Sequence, residues 1–253
     1  MSLFLPVGPK SVRVFAGYRL PSLARETFFK ELGDTFMPGT PYMLAPLGLA
    51  GYVAAVLDLD PALGLPDEVA LIVYASVDAY RAARQDSLQG RMYTHSHAGV
   101  FDMAQSRGQF PGSESAPDKL APSDRWAWAA FDDALVDWQR GSTRLVFVDG
   151  APKTGSMQDA VLAATKAARS GLATAGVDQL IVLTGPKYAA MWLHSAERLA
   201  QDSAGLKIVP EGARVQRDLV ATPVPIRTGA EGVPIGGPAA FSFRFVRDLH
   251  FFL

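Results

Sequence analysis

The apolar residues of this chain fall into short dense runs, divided by Gly- and Pro-rich connections and by stretches of helical spacing. VRVFAGYRL, Val12 to Leu20, is β-branched and aromatic enough for a strand. Pro21-Ser22 then opens a helix with Leu23, Thr27, Phe28 and Leu32 near one face, closed by Pro38-Gly39. Ala50 to Asp58 forms a second strand, and EVALIVYAS, Glu68 to Ser76, a third whose density suggests burial on both faces. Ser76 or Asp78 caps the next helix, whose apolar positions are Ala79, Tyr80, Ala83 and Leu88. Trp126 to Phe131, WAWAAF, supplies a last strand, which gives the first half the order β-α-β-β-α-β.

The second half opens on the strand RLVFV, Arg144 to Val148. A long Ala-rich helix follows from Met157 to Ala175, with Gly176 where a C-terminal cap belongs. QLIVLT, Gln179 to Thr184, is a strand, and KYAAMWLHSAERLAQ, Lys187 to Gln201, is expected to be helical. LKIVP, ARVQRDLVATPVPI and AAFSFRFVRDLHFFL complete the strand candidates. Between the halves, Ser106 to Asp124 is rich in Ser, Gly and Pro and reads as a connector. The expected division is residues 1–105, a connector at 106–124, and 125–253.

The two halves also resemble each other. EVALIVYASVDAYRAARQD and DQLIVLTGPKYAAMWLHSAERLAQD both read as buried strand, turn, and small-residue helix with a Tyr near its start. This step resembles the dimeric α+β barrel superfamily, whose members fold as ferredoxin-like units. The resemblance implies an α+β chain of two ferredoxin-like halves forming an intrachain barrel or a similar two-layer α/β sandwich.

Composition removes several classes of function. A hydrophobic fraction of 49% supplies ample core. A formal net charge of -1, without a Lys/Arg run, gives no footprint of nucleic-acid binding. The absence of cysteine excludes disulfides, thiolate metal sites and a cysteine nucleophile. No apolar run approaches the roughly 20 residues that span a bilayer, and the N-terminal run is broken by Pro6 without a basic segment before it. A cytoplasmic protein without membrane contact is therefore expected.

The chemistry-bearing candidates begin with THSHAGVFD. His95 and His97 stand one residue apart, with Asp102 five residues beyond His97. On a strand the two imidazoles would share a face with a carboxylate near, a beginning for metal ligation or acid–base catalysis. On a helix they diverge, and histidines at a helix C-terminus are favoured by the macrodipole without any function. No third metal ligand and no cofactor can be placed from spacing. DGAPKTGSM has glycines at P-loop separation, but Ser156 and Met157 stand where Lys and Ser/Thr are required, so it reads as a strand-to-helix turn capped by Thr154 or Ser156. His194 would be a helix histidine; the chlorite dismutase-like branch of the resembled superfamily places an axial haem ligand on such a helix. His250 falls at the chain's end. Tyr18, Tyr52, Tyr74, Trp126, Trp128, Trp138 and Trp192 are aromatics that could line an apolar pocket or simply pack, and Arg13, Arg19 and Arg244 could stand among them.

The expected function is binding of a small, partly apolar molecule. What the resemblance adds is cofactor-free oxygenation, isomerisation or dehydration with a His or carboxylate base at His95, His97 or Asp102. Tyr18, Arg19, Tyr74, Trp126, Trp128 and His194 are the expected pocket lining. The alternatives are a structural or assembly protein that forms homo-oligomers through its aromatic surfaces, and a haem- or metal-dependent enzyme.

Overall fold

The structure, a computed structural model, describes residues 6–111, 126–153, 155–197, 207–224 and 226. Its fold is α+β: two antiparallel sheets, the first with several helices on its outer face and the second, among the described residues, with one long α-helix.

The first half runs β1 (Val12–Gly17), α1 (Arg25–Glu31), α2 (Met37–Leu44), β2 (Leu49–Val56), β3 (Glu68–Tyr74), α3 (Val77–Gln85), α4 (Leu88–Ser96) and β4 (Arg107–Gln109). Its sheet has the order β2-β3-β1-β4. Pro38 does not end the first helix as its sequence suggests. A π-helical turn at Leu32–Phe36 links α1 to α2, and Pro38 falls in the opening turn of α2, where a missing N–H costs little. Ser76 and Ser87 cap α3 and α4 by accepting the N–H groups of Ala79 and Gly90.

The second half runs β5 (Trp126–Ala129), β6 (Ser142–Gly150), α5 (Met157–Thr174), β7 (Gln179–Thr184), β8 (Tyr188–Ser195) and β9 (Ala213–Ala221), in the order β5-β7-β8-β6-β9. Its inner order β7-β8-β6-β9 repeats that of the first sheet, with β5 added at the edge. Ser156 and Asp159 form a capping box at the start of α5, and Gly176 takes a positive φ of 80° after its end.

Three expectations are corrected. Trp126–Ala129 pairs with β7 and not with the first sheet. The fourth strand of that sheet is Arg107–Gln109, an exposed arginine and two half-buried residues that give no apolar signal. Lys187–Gln201 opens as strand β8 rather than a helix, because Gly185 turns the chain back so that β8 pairs with β7 and β6 and all eight residues are buried. An unbroken apolar run of Ala, Met and Leu cannot be assigned by periodicity alone. Of LKIVP, the described residues Lys207 to Pro210 form no strand. AAFSFRFVRDLHFFL, with Arg244 and His250, lies outside the described residues.

Side-chain alternation sorts the sheets into layers. Val12, Val14, Val69, Leu71 and Val73 of the first sheet share one apolar cluster with Leu145, Phe147, Ile181, Leu183 and Trp192 of the second. The opposite face of the first sheet packs Phe15, Ala54 and Tyr74 against Phe28, Leu32, Phe36 and Tyr93 of the helices. Val146, Val182 and Met191 pack against Val161 and Leu172 of α5 on the far side. Two backbone links also join the halves: Val7 exchanges both hydrogen bonds with Val136, at 2.9 and 3.1 Å, and the Val224 N–H donates to the Tyr52 carbonyl at 2.8 Å. Among the described residues no helix is long and apolar enough to cross a membrane.

Because the two sheets bury one core between them, the halves are expected to unfold together. Trp192→Ala, at a position with 0% exposure, should cost about 3–5 kcal/mol and move a single denaturant transition. Two separate transitions, only one of them shifted, would contradict a shared core.

Candidate functional site

The helix-facing side of the first sheet carries the polar side chains that burial perturbs most. The register places Gly17 opposite Glu68, Phe15 opposite Ala70 and Arg13 opposite Ile72, so Arg13, Glu68 and Tyr74 lie on that side with Phe15. Glu68 opens β3 and is 1% exposed. Its Oε1 accepts a hydrogen bond from the Tyr52 hydroxyl at 3.0 Å, and among the described residues no cation pairs with it. Burial pushes the Glu68 carboxyl up to about 7, against which the Tyr52 hydrogen bond pulls only partly. Tyr52 is itself raised well above the usual phenol value, by burial first and then by the neighbouring carboxylate.

A second buried pair lies under the helices. The Thr40 hydroxyl donates to the Phe36 carbonyl at 2.9 Å, which leaves it to accept from the Tyr93 hydroxyl at 2.5 Å. His97, in the 3-10 turn that ends α4, directs Nδ1 at the Tyr93 carbonyl at 2.9 Å. A carbonyl only accepts, so Nδ1 carries the proton and Nε2 keeps its lone pair. The ring sits edge-on to Phe36 and Tyr93, at 4.8 Å from each. Burial, and next the Arg84 charge, lower His97 to about 3. At neutral pH the imidazole is therefore uncharged.

The other sequence candidates lie elsewhere. His95 is exposed on α4. Asp102 caps a surface turn, accepting from the Ala104 N–H at 2.8 Å and from the Gln105 amide at 2.9 Å, and those bonds, the amide first, lower its carboxyl. The Tyr18 N–H donates to the Ser106 hydroxyl at 2.9 Å. The Arg19 N–H donates to Asp67 at 2.7 Å, and the Arg19 guanidinium binds the Leu23 carbonyl. Tyr74 is buried on the helix-facing side. Trp126 and Trp128 pack on the α5 side of the other sheet. His194 is on strand β8, not a helix; it is buried edge-on to Trp138 at 5.2 Å, with Nε2 3.1 Å from the Arg140 carbonyl. These residues are thus spread over separate layers. Among the described residues no three His, Cys, Asp or Glu side chains gather as a metal site. In DGAPKTGSM, Lys153 pairs with Glu211, and Ser156 is the cap; Thr154 lies outside the described residues.

Glu68, Thr40 and Tyr93 escaped the sequence reading. Glu68 alone left a signal, as a charge at the head of a run otherwise apolar through Tyr74.

No protein-family model matches the chain, and no curated protein does. Among solved structures it is similar to a "putative monooxygenase" of Fusobacterium nucleatum, at 12% identity and TM-score 0.42, over 87% of this chain and 98% of that one. A "putative monooxygenase" of Lactobacillus acidophilus matches at 7% identity and TM-score 0.42, over 85% and 95%. An anthrone oxidase-like protein matches at 13% identity and TM-score 0.42, over 91% and 99%. Similarities of this size assign no residue a role.

The two displaced groups give opposite stability signatures. Between 4.5 and about 7 the folded state keeps the Glu68 proton that the unfolded chain has lost, so stability falls as pH rises through that window. Between 6.5 and about 3 the unfolded chain takes a proton that His97 refuses, so stability falls as pH drops. At about 1.4 kcal/mol per pH unit, wild type should lose about 3 kcal/mol relative to Glu68→Gln as pH rises from 4.5 to 7. Relative to His97→Asn it should lose stability as pH falls from 6.5 towards 3. Denaturant titrations across this range check both, and flat differences would contradict the burial of these groups.

Proposed function

We propose that the helix-covered face of the first sheet is the active site of an enzyme that moves a proton on a small, partly apolar substrate. The observation that carries this reading is a buried carboxyl, hydrogen-bonded to a phenol and poised at about 7, with no cation among the described residues to fix its charge. A general base works best when its pKa lies near the working pH, and burial is how active sites raise a carboxyl to that value. Glu68 is the base. The Tyr52 hydroxyl orients its carboxylate by donating to Oε1. Neutral His97 offers Nε2 as an acceptor, and Tyr93 with Thr40 holds the ring's carbonyl partner in place. His95 and Asp102 lie outside this proton path.

The chemistry is removal of a proton from a carbon acidified by a neighbouring carbonyl. The C–H electron pair passes into an enolate, and the proton passes to the Glu68 carboxylate. Returning the proton at another carbon is an isomerisation. Expelling a β-hydroxyl as water is a dehydration. Electron transfer from the enolate to dioxygen begins an oxygenation. All three share the first step, and none of them needs a cofactor for it.

The step can be watched without the natural substrate. Exchange of the α-protons of 2-tetralone in deuterium oxide, followed by proton NMR, should exceed the buffer rate and rise with pH through about 7. Glu68→Gln should slow it by about 100-fold or more. Exchange at the buffer rate, or unchanged by Glu68→Gln, would overturn the reading.

A further inference from the structure

The same helix-facing surface holds a second polar group that proton transfer does not use. Arg13 leaves β1 and lies across Gly108 of β4, where a Cβ would stand 1.8 Å from Nη2, so any residue but glycine would displace the guanidinium. That guanidinium lies over the rings of Phe15 and Tyr80, at 5.6 and 5.3 Å. Arg84 of α3 lies over the same Tyr80 ring at 5.4 Å. It spends Nε on the Thr94 hydroxyl at 2.8 Å and Nη1 on the Tyr80 hydroxyl. Among the described residues no carboxylate forms an ion pair with Arg13 or Arg84. The Arg84 charge is among the influences that lower Arg13, after burial itself. Both arginines are half-buried. Beside them Tyr74 meets Tyr80 edge-on at 5.5 Å, with its hydroxyl buried and without a hydrogen-bond partner among the described residues.

Two like charges gathered around one ring, with a buried hydroxyl left over, form half of an ion pair. We propose that Arg13, Arg84 and the Tyr74 hydroxyl bind the carboxylate of an aromatic acid whose ring system extends along the sheet toward Glu68. The donors match that group. Among the described residues nothing hydrogen-bonds the Arg13 fork, which suits a bidentate grip, while Arg84 retains Nη2 and Tyr74 one O–H, enough for two carboxylate oxygens and few for a phosphate. Phe15, Tyr80 and Phe110 supply aromatic surface. Arg13 is registered opposite Ile72, and Glu68 stands four residues along β3. At the rise of a strand this is roughly 13 Å, a span that suits an acid of two or three rings with its reactive carbon remote from the carboxylate. The inference rests on the proposed function for the role of the Glu68 end, but not for the anion end.

Calorimetric titration at pH 7.5 with 2-naphthoate and its uncharged amide, 2-naphthamide, tests it. Wild type should bind the acid at least 30-fold more tightly than the amide. Arg13→Met and Arg84→Met should each weaken the acid at least tenfold and leave the amide unchanged. Arg13→Lys, which keeps the charge but loses the fork, should fall between, and Tyr74→Phe should weaken the acid several-fold. If Arg13→Met does not fold, as judged by thermal unfolding, Arg84→Met and Tyr74→Phe decide the question. Equal affinity for acid and amide, or acid binding indifferent to the arginine variants that fold, would overturn the subsite. Glu68→Gln should still bind 2-naphthoate. Acid binding that persists without tetralone exchange removes the proton-transfer reading alone, and exchange without selective acid binding removes the subsite alone.

Discussion

The two sheets are each apolar on the faces they turn to one another, and everything else follows from that shared interior. Val14, Leu71 and Val73 on one side and Phe147, Ile181 and Trp192 on the other are removed from water only when the sheets meet. Once they meet, strands β1 and β3 are covered on one face by the second sheet and on the other by helices α1 to α4. A polar side chain on these strands then has one place to go, the seam between sheet and helices. Alternation sends Arg13, Glu68 and Tyr74 there as a set.

Within that seam the charges stand apart. Glu68 lies at one end with a phenol for company, and Arg13 and Arg84 lie at the other with aromatic rings. Had the carboxyl and a guanidinium been neighbours, they would have formed a buried ion pair, with the carboxyl held low and the cations neutralised. Separation leaves the carboxyl raised to about 7 and, among the described residues, neither arginine in an ion pair. Phe15 and Tyr93 belong to the apolar cluster that covers this face, and burial displaces Glu68 and Arg13 alike.

The sequence showed most of this fold and little of this site. β1, β3, β6 and β7 were legible because doubly covered strands appear as continuous apolar runs. β8 was misread for the same reason: YAAMWLHS is as apolar as a buried helix, and only its pairing with β6 and β7 distinguishes the two. β4 was invisible because three edge residues need no apolar side chains. His97 was found by its residue type, but its neutrality comes from burial among rings on β1, the π-helical turn before α2 and the segment beyond α4 that only the tertiary fold assembles. The Thr40–Tyr93 bond joins residues 53 positions apart and depends on how α2 meets α4. Arg13 and Arg19 share strand parity, yet β1 ends at Gly17, and Arg19 turns away to bind Leu23.

The central claim is that Glu68 is a protonated acid near neutrality. Its side-chain carboxyl carbon, labelled with carbon-13 and assigned by comparison with Glu68→Gln, reports that directly through its chemical shift as pH is varied. A midpoint near 7 is the predicted result. A midpoint at the ordinary carboxylate value of 4.5 would show an ionised, solvated side chain and contradict the account.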